Sequence, residues 1–135
     1  MPKLILYSDG GSRGNPGKAA CGFVVLEADQ AKYSGGKYLG ITTNNVAEWE
    51  GFKQGLLWIL DNYANQEISL EVFLDSKLVV EQICGRWKVK QEHLKPFFED
   101  CTRLKSQFKD FKISHVYRHL NKLADAEVNK ILDEN

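Results

Sequence analysis

Four acidic residues carry the chemistry this sequence can offer: Asp9 in LILYSDGGSRGNPG, Glu48 in TTNNVAEWEG, Asp75 in LEVFLDSK and Asp125 in RHLNKLADAEVNK. Asp9 and Asp75 close apolar runs that read as strands. Glu48 and Asp125 fall in the first turns of segments that read as helices. A fold that brings the four together makes an all-oxygen pocket. That donor set suits hard divalent cations such as magnesium or manganese and needs no His or Cys ligand. Carboxylates packed this closely raise one another's pKa values unless cations intervene. Taken singly, each acid has an ordinary structural reading. Asp9-Gly10-Gly11 reads as a turn, Glu48 as a complement to the positive end of a helix, Asp75-Ser76 as a helix cap and Asp125 as a first-turn acid. The four together favour the metal pocket, because Glu48 and Asp125 each head an inward-facing stripe.

The elements that position them follow from periodicity and punctuation. Lys3–Asp9 is a short apolar run stopped by Gly10-Gly11, read as a buried strand ending in a turn. Ala20–Leu26 and Ala31–Gly40 follow at short spacing, so the three make an antiparallel meander. Thr42-Thr43-Asn44-Asn45 offers helix caps, and Glu48, Phe52, Gly55 and Ile59 form a stripe at helical spacing to about Asn62. Gly51 and Gly55 each cost about 1 kcal/mol against Ala in a helix, a penalty that close helix–sheet contact accounts for. Ile68–Asp75 is a fourth strand, Lys77–Cys84 a short helix closed by Gly85, and Glu92–Phe108 a longer helix with an apolar face. Lys112–Tyr117 is the fifth strand. The last helix starts near Asn121, with Asp125, Val128 and Leu132 on one face. Helical crossovers make strands 1, 4 and 5 parallel, so the expected fold is α/β: a five-stranded mixed sheet with helices on both faces. Asp9 and Asp75 then sit at carboxyl ends of parallel strands, where open α/β sheets place their sites.

The chain's 135 residues fit one domain. Its composition, 43% hydrophobic and 27% charged, is that of a globular protein. No apolar run is long enough for a bilayer, and MPKLILYSDGG runs straight into motif residues, so neither a membrane anchor nor a signal peptide is expected. Cys21, Cys84 and Cys101 are odd in number and lack CxxC spacing, which points to free thiols in a reducing, cytoplasmic setting. Eighteen basic residues balance eighteen acidic ones. A nucleic-acid protein usually carries a basic excess, but cations bound at the four acids reverse the sign of the most negative patch.

At these residues the chain resembles the ribonuclease H type 1 family over nearly its whole length. YSDGGSRGNPG is similar to the family's first-strand motif, TTNNVAE to its Asn-Asn-x-x-Glu helix start, and LDSK to its Asp-Ser strand end. RHLNKLAD is similar to its final Asn-x-x-x-Asp motif in the short-loop variant. The resemblance implies the family's five-stranded mixed sheet and one catalytic domain over 1–135, in the form without an N-terminal hybrid-binding domain. It implies endonucleolytic hydrolysis of the RNA strand of RNA–DNA hybrids, leaving 5′-phosphate and 3′-hydroxyl ends. Asp9 would bridge two magnesium ions, with manganese as a substitute; Glu48 and Asp75 complete one site and Asp125 the other. Glu48 and the Gly10-Gly11 backbone would lie beside the 2′-OH, the group that separates RNA from DNA. Asn15, Asn44, Asn45 and Lys77 match positions near the nucleic-acid backbone, and Thr43 is a phosphate contact. Lys77 stands where several relatives carry Gln.

Two features depart from many members of the family. Arg118 occupies the place of a catalytic His found in some relatives. His119 is adjacent, so either is the candidate for assisting product release, whereas His115 falls mid-strand and reads as structural. In place of a long basic protrusion there is only Arg86-Trp87-Lys88-Val89-Lys90, where Trp87 packs either on deoxyribose or in the core. The expected partner is an RNA–DNA hybrid bound with modest, salt-dependent affinity, and a monomer with no obligatory protein partner is expected. A nuclease or transferase of the wider superfamily acting on DNA, and a non-catalytic hybrid-binding module, are the alternatives. Loss of an acid is what the latter predicts, and all four are present.

Overall fold

The computed structural model describes residues 1–135. Strands β1 (Lys3–Gly14), β2 (Gly17–Glu27) and β3 (Gln30–Thr42) form an antiparallel meander. Helix α1 (Asn44–Asn62), strand β4 (Ser69–Leu74) and helix α2 (Lys77–Ile83) follow. A 3₁₀ turn (Glu92–Leu94) leads into α3 (Lys95–Lys105), then β5 (Asp110–His115), a second 3₁₀ turn (Arg118–Leu120) and α4 (Lys122–Asp133). The sheet order is β3-β2-β1-β4-β5, with β4 parallel to both β1 and β5. This is the mixed sheet that the crossover connections require.

Side chains alternate across the sheet with a period of two. Leu4 and Leu6 of β1, Phe23 and Val25 of β2, and Leu70, Val72 and Leu74 of β4 join Trp49, Phe52, Leu56 and Ile59 of α1 in the main core. Residues of α2 and α3 close that core, including Val79, Ile83, Cys101 and Leu104. On the other face Val128 and Leu132 of α4 pack on Ala20. The glycines of α1 do what their helix penalty implies. A Cβ on Gly51 would lie 2.5 Å from the Asp9 carbonyl oxygen, and one on Gly55 would lie 2.6 Å from Leu6 Cδ1. From the strand side, a Cβ on Gly10 would run into the backbone of Ala47 and Glu48. Helix α1 therefore rests directly on β1 at Asp9.

Several boundaries differ from the sequence expectation. Strand β1 does not stop at Asp9; it continues through Gly10 and Gly11, paired with Cys21 and Ala20 of β2, and turns only after Gly14. Glycine keeps both backbone ladder groups, so Gly10 serves close packing and Gly11 continues the ladder, and neither makes a turn. Glu48 lies one turn into α1, whose first turn holds no acid, because Thr43 is the cap and Asn44 the first helical residue. The Glu92–Phe108 helix is shorter than expected. Pro96 lacks a backbone N–H and fits only near a helix start, so the α-helix begins at Lys95. Strand β5 lies earlier than Lys112–Tyr117, which makes His115 its exposed last residue and not a mid-strand structural one. The three cysteines are free thiols, and no helix is long and apolar enough to cross a membrane.

Candidate active site

Strands β1 and β4 run parallel up to the pair Ser8–Leu74 and then part. Asp9 and Asp75 are the next residues on either side of the split. Glu48 comes down from α1, held there by the Gly10 and Gly51 contacts. Carboxylate oxygens of Asp9, Glu48 and Asp75 all lie within 4.8 Å of one another. Asp125, in the first turn of α4, lines the same cleft of about 510 Å³, together with Gly10, Gly11, Asn44 and Asn45. The fold thus converges all four acids, three tightly and Asp125 at the rim.

Their electrostatics follow from that crowding. Burial pushes the Asp9 carboxyl up to about 8, and the Asp75 charge adds to this; hydrogen bonds to Glu48 and to the Gly10 N–H (2.9 Å) oppose it. Burial also raises Glu48 well above the usual carboxylate range, reinforced by the charges of Asp9 and Asp75. Burial raises Asp75 too, while Asp9, the Asn121 amide and Arg118 pull it down. A cluster of this kind either holds protons or takes up positive charge. With carboxylate oxygens as the only strong ligands, its donor set suits a hard divalent cation.

Arg118 lines the cleft, its Nη2 3.6 Å from Asp125 Oδ1. His119 instead lines a separate hollow with Tyr7, Leu26 and Leu120, and stacks on Tyr117 with ring centres 6.2 Å apart. Only Arg118 of this pair reaches the acids. Asn44 is fixed by a residue that sequence reasoning missed: Ser12 donates to Asn44 Oδ1 from its backbone N–H (2.8 Å) and from its hydroxyl (3.0 Å). Asn15 Oδ1 accepts the Asn44 backbone N–H at 3.1 Å, tying the β1–β2 turn to the start of α1. Thr43 caps α1 by accepting the Val46 N–H at 3.3 Å and lies outside the cleft lining. Asn129, also missed, donates to Asp125 Oδ2 at 3.3 Å. The Ser12–Asn44 pair carries no local signal, being 32 residues apart, whereas Asn129 follows Asp125 by four, the helical spacing that brings two side chains together.

Lys77 and Trp87 lie outside the four-acid cleft. Lys77 Nζ sits 6.0 Å from the centre of the Trp87 ring. Trp87 is 44% exposed, so it is not a core residue. Together with Arg86, Lys88 and Lys90 it borders a hollow that also includes Asn45. Asn45 is shared by this hollow and the acidic cleft.

A family model described as "Reverse transcriptase-like" matches residues 7–131. The Ribonuclease HI of Halobacterium salinarum is 37% identical to this chain over 133 residues, which cover 98% of the chain. The chain belongs to the ribonuclease H type 1 family. The bifunctional protein Rv2228c of Mycobacterium tuberculosis is 41% identical over 97% of the chain. The solved ribonuclease H domain of that protein superposes with a TM-score of 0.92, at 40% identity, covering 99% of this chain and 96% of that one. A second ribonuclease H, LC11-RNase H1, was solved in complex with an RNA/DNA hybrid; it gives a TM-score of 0.90 at 34% identity, covering 97% of each chain. The chain spans 36% of the length of the mycobacterial protein and 65% of that of the Halobacterium ribonuclease H.

Proposed function

We propose that this chain is a metal-dependent endoribonuclease that hydrolyses the RNA strand of RNA–DNA hybrids, leaving 5′-phosphate and 3′-hydroxyl ends. The observation that carries the reading is the convergence of the Asp9, Glu48 and Asp75 oxygens to within 4.8 Å, in a cleft that also holds Asp125 and three asparagines. The ribonuclease H relatives supply the substrate class, in particular the one solved with a hybrid.

Asp9, Glu48 and Asp75 would hold one magnesium ion, and Asp9 with Asp125 a second, with manganese as a substitute. When bound, the ions supply an activated water and stabilise the departing 3′ oxygen. The protein then needs no side-chain nucleophile. Ser76, which lines the cleft beside Asp75, caps α2, its hydroxyl oxygen accepting the Val79 N–H at 3.3 Å. Because Asn44 Oδ1 is occupied by Ser12, its Nδ2 group is the end left to donate to a phosphate or 2′-OH. Glu48 and the Gly10-Gly11 backbone flank the 2′-OH of the RNA strand. Asn15, Asn45, Thr43 and Lys77 lie along the backbone, with Trp87 against deoxyribose. Arg118, 3.6 Å from Asp125, would assist product release. The catalytic unit spans 1–135 and acts as a monomer in the cytoplasm without an obligatory protein partner.

Incubation with magnesium and a labelled hybrid, beside double-stranded RNA and double-stranded DNA of the same sequence, tests this directly. Metal-dependent cutting of the RNA strand of the hybrid, with 5′-phosphate ends, is expected. Equal cutting of all three duplexes, or none of the hybrid, overturns the assignment; preferential cutting of DNA favours the DNA-acting alternative.

A further inference from the structure

Asn121 is among the few buried polar residues of the chain, 1% exposed, at the junction between the second 3₁₀ turn and α4. An Asn in that position ordinarily caps the helix with its side chain. Here it makes no such cap bond. Its Nδ2 instead donates at 2.8 Å to the carbonyl of Ser8, the last β1 residue paired with β4. Where β4 leaves the sheet, a side-chain amide takes the place of a strand donor. The Asn121 backbone carbonyl accepts the Asp125 N–H at 3.1 Å and so opens the first turn of α4. One residue therefore bonds both to the backbone next to Asp9 and to the backbone of Asp125.

We infer that Asn121 is a positioning residue that sets the spacing between Asp9 and Asp125 for cation binding. A group of this kind acts through the ligands it orients, and its removal is expected to weaken metal affinity by about 10–100-fold. The inference rests on the metal-site reading of the acids.

The test uses the intact chain. Manganese affinity is measured by calorimetry without nucleic acid, and kcat and KM are measured separately. For Asn121→Ala, checked for folding by circular dichroism, manganese affinity and kcat should each fall at least about tenfold, with KM for the hybrid within about threefold. Asn121→Ser, which keeps a short polar group and is the gentler change, should move in the same direction. A folded variant that binds manganese within twofold of the parent and keeps its kcat overturns the positioning role, whatever happens to its stability. The unaltered protein supplies a readout that does not depend on variant folding. On titration with magnesium alone, the Asn121 side-chain amide resonance in a nitrogen–proton correlation spectrum should move; an unmoved resonance, with others shifting, also overturns it. A parent that binds no manganese would instead overturn the metal-site reading itself, so the two failures are distinct.

Discussion

Arg118 Nη2 lies 3.6 Å from Asp125 Oδ1, across the short turn that leads into α4. The arginine side chain is 82% exposed, so the pair contributes less than about 1 kcal/mol to stability. Its position at the rim of an acidic cleft matters more than its strength, because a guanidinium there can meet a departing phosphate bidentately.

Arg118→Ala should therefore unfold in urea within about 1 kcal/mol of the parent, while kcat for hybrid cleavage falls at least about tenfold, equivalent to about 1.4 kcal/mol of barrier. Arg118→Lys should fall in between, because lysine keeps the charge and loses the fork. His119→Ala, altering a residue outside the cleft, should cleave within about twofold of the parent. Reversal of the Arg118 and His119 effects in steady-state assays would reassign the helper.

Asp75→Asn keeps the shape of the side chain at the β1–β4 split and removes its charge. The fold should be retained by circular dichroism, and cleavage should drop more than about a hundredfold, about 2.7 kcal/mol of lost stabilisation. An Asp75→Asn protein as fast as the parent would remove this residue from the metal site.

The acids also make stability depend on pH in a direction opposite to ordinary ion pairs. Asp9 moves from 3.8 to about 8 in the fold, chiefly through burial, so between these values the folded chain holds a proton that the unfolded chain has lost. Stability linked to Asp9 is full below about pH 4 and declines as pH rises towards 8. Glu81 and Asp100 are held below their ordinary values by Arg86 and Lys53, so their opposing contributions are complete by about pH 5. In the presence of a chelator the melting temperature should fall between pH 5 and pH 8, and added magnesium should offset the fall most at the alkaline end. Asp9→Asn should flatten the profile. A chelated parent whose melting temperature is level or rises over this window contradicts the charge crowding.

Gly51→Ala tests the seating of α1. The new methyl would meet the Asp9 carbonyl oxygen at 2.5 Å, a backbone atom that cannot rotate away. Helix propensity alone predicts a gain of about 1 kcal/mol, whereas overpacking predicts a loss of about 1–3 kcal/mol. A net loss in denaturant unfolding is expected, accompanied by weaker manganese binding as Glu48 moves away from Asp9.

Trp87→Ala should leave stability nearly unchanged, because the ring is 44% exposed. KM for the hybrid should rise about tenfold, within the 1–3 kcal/mol typical of aromatic contacts to nucleic acid, with kcat little altered. Equal KM values for parent and variant at low and physiological salt would exclude Trp87 from the interface.

Much of this protein is legible along the chain because the relevant forces are local. Alternation in Leu4, Leu6, Leu70, Val72 and Leu74 sets the strand faces, and the Phe52, Gly55 and Ile59 stripe sets the inward side of α1. Crossover connections then determine the parallel pairing that places Asp9 beside Asp75. The limits of local reading appear at Gly10-Gly11, where a turn signal and a close-packing signal use the same two residues. Only the approach of Ala47 and Glu48 shows which applies.

What the sequence determined by itself is the set of acids, the elements that carry them and the order of those elements, because composition, period and capping act within a few residues. What the tertiary structure decided is which groups meet through space: Ser12 on Asn44, Arg118 rather than His119 at Asp125, Trp87 at the surface, and Asn121 under the β1–β4 split. Hydrogen bonds and charge pairing depend on distance and burial, and residues far apart in the chain acquire both only when the sheet and helices have packed.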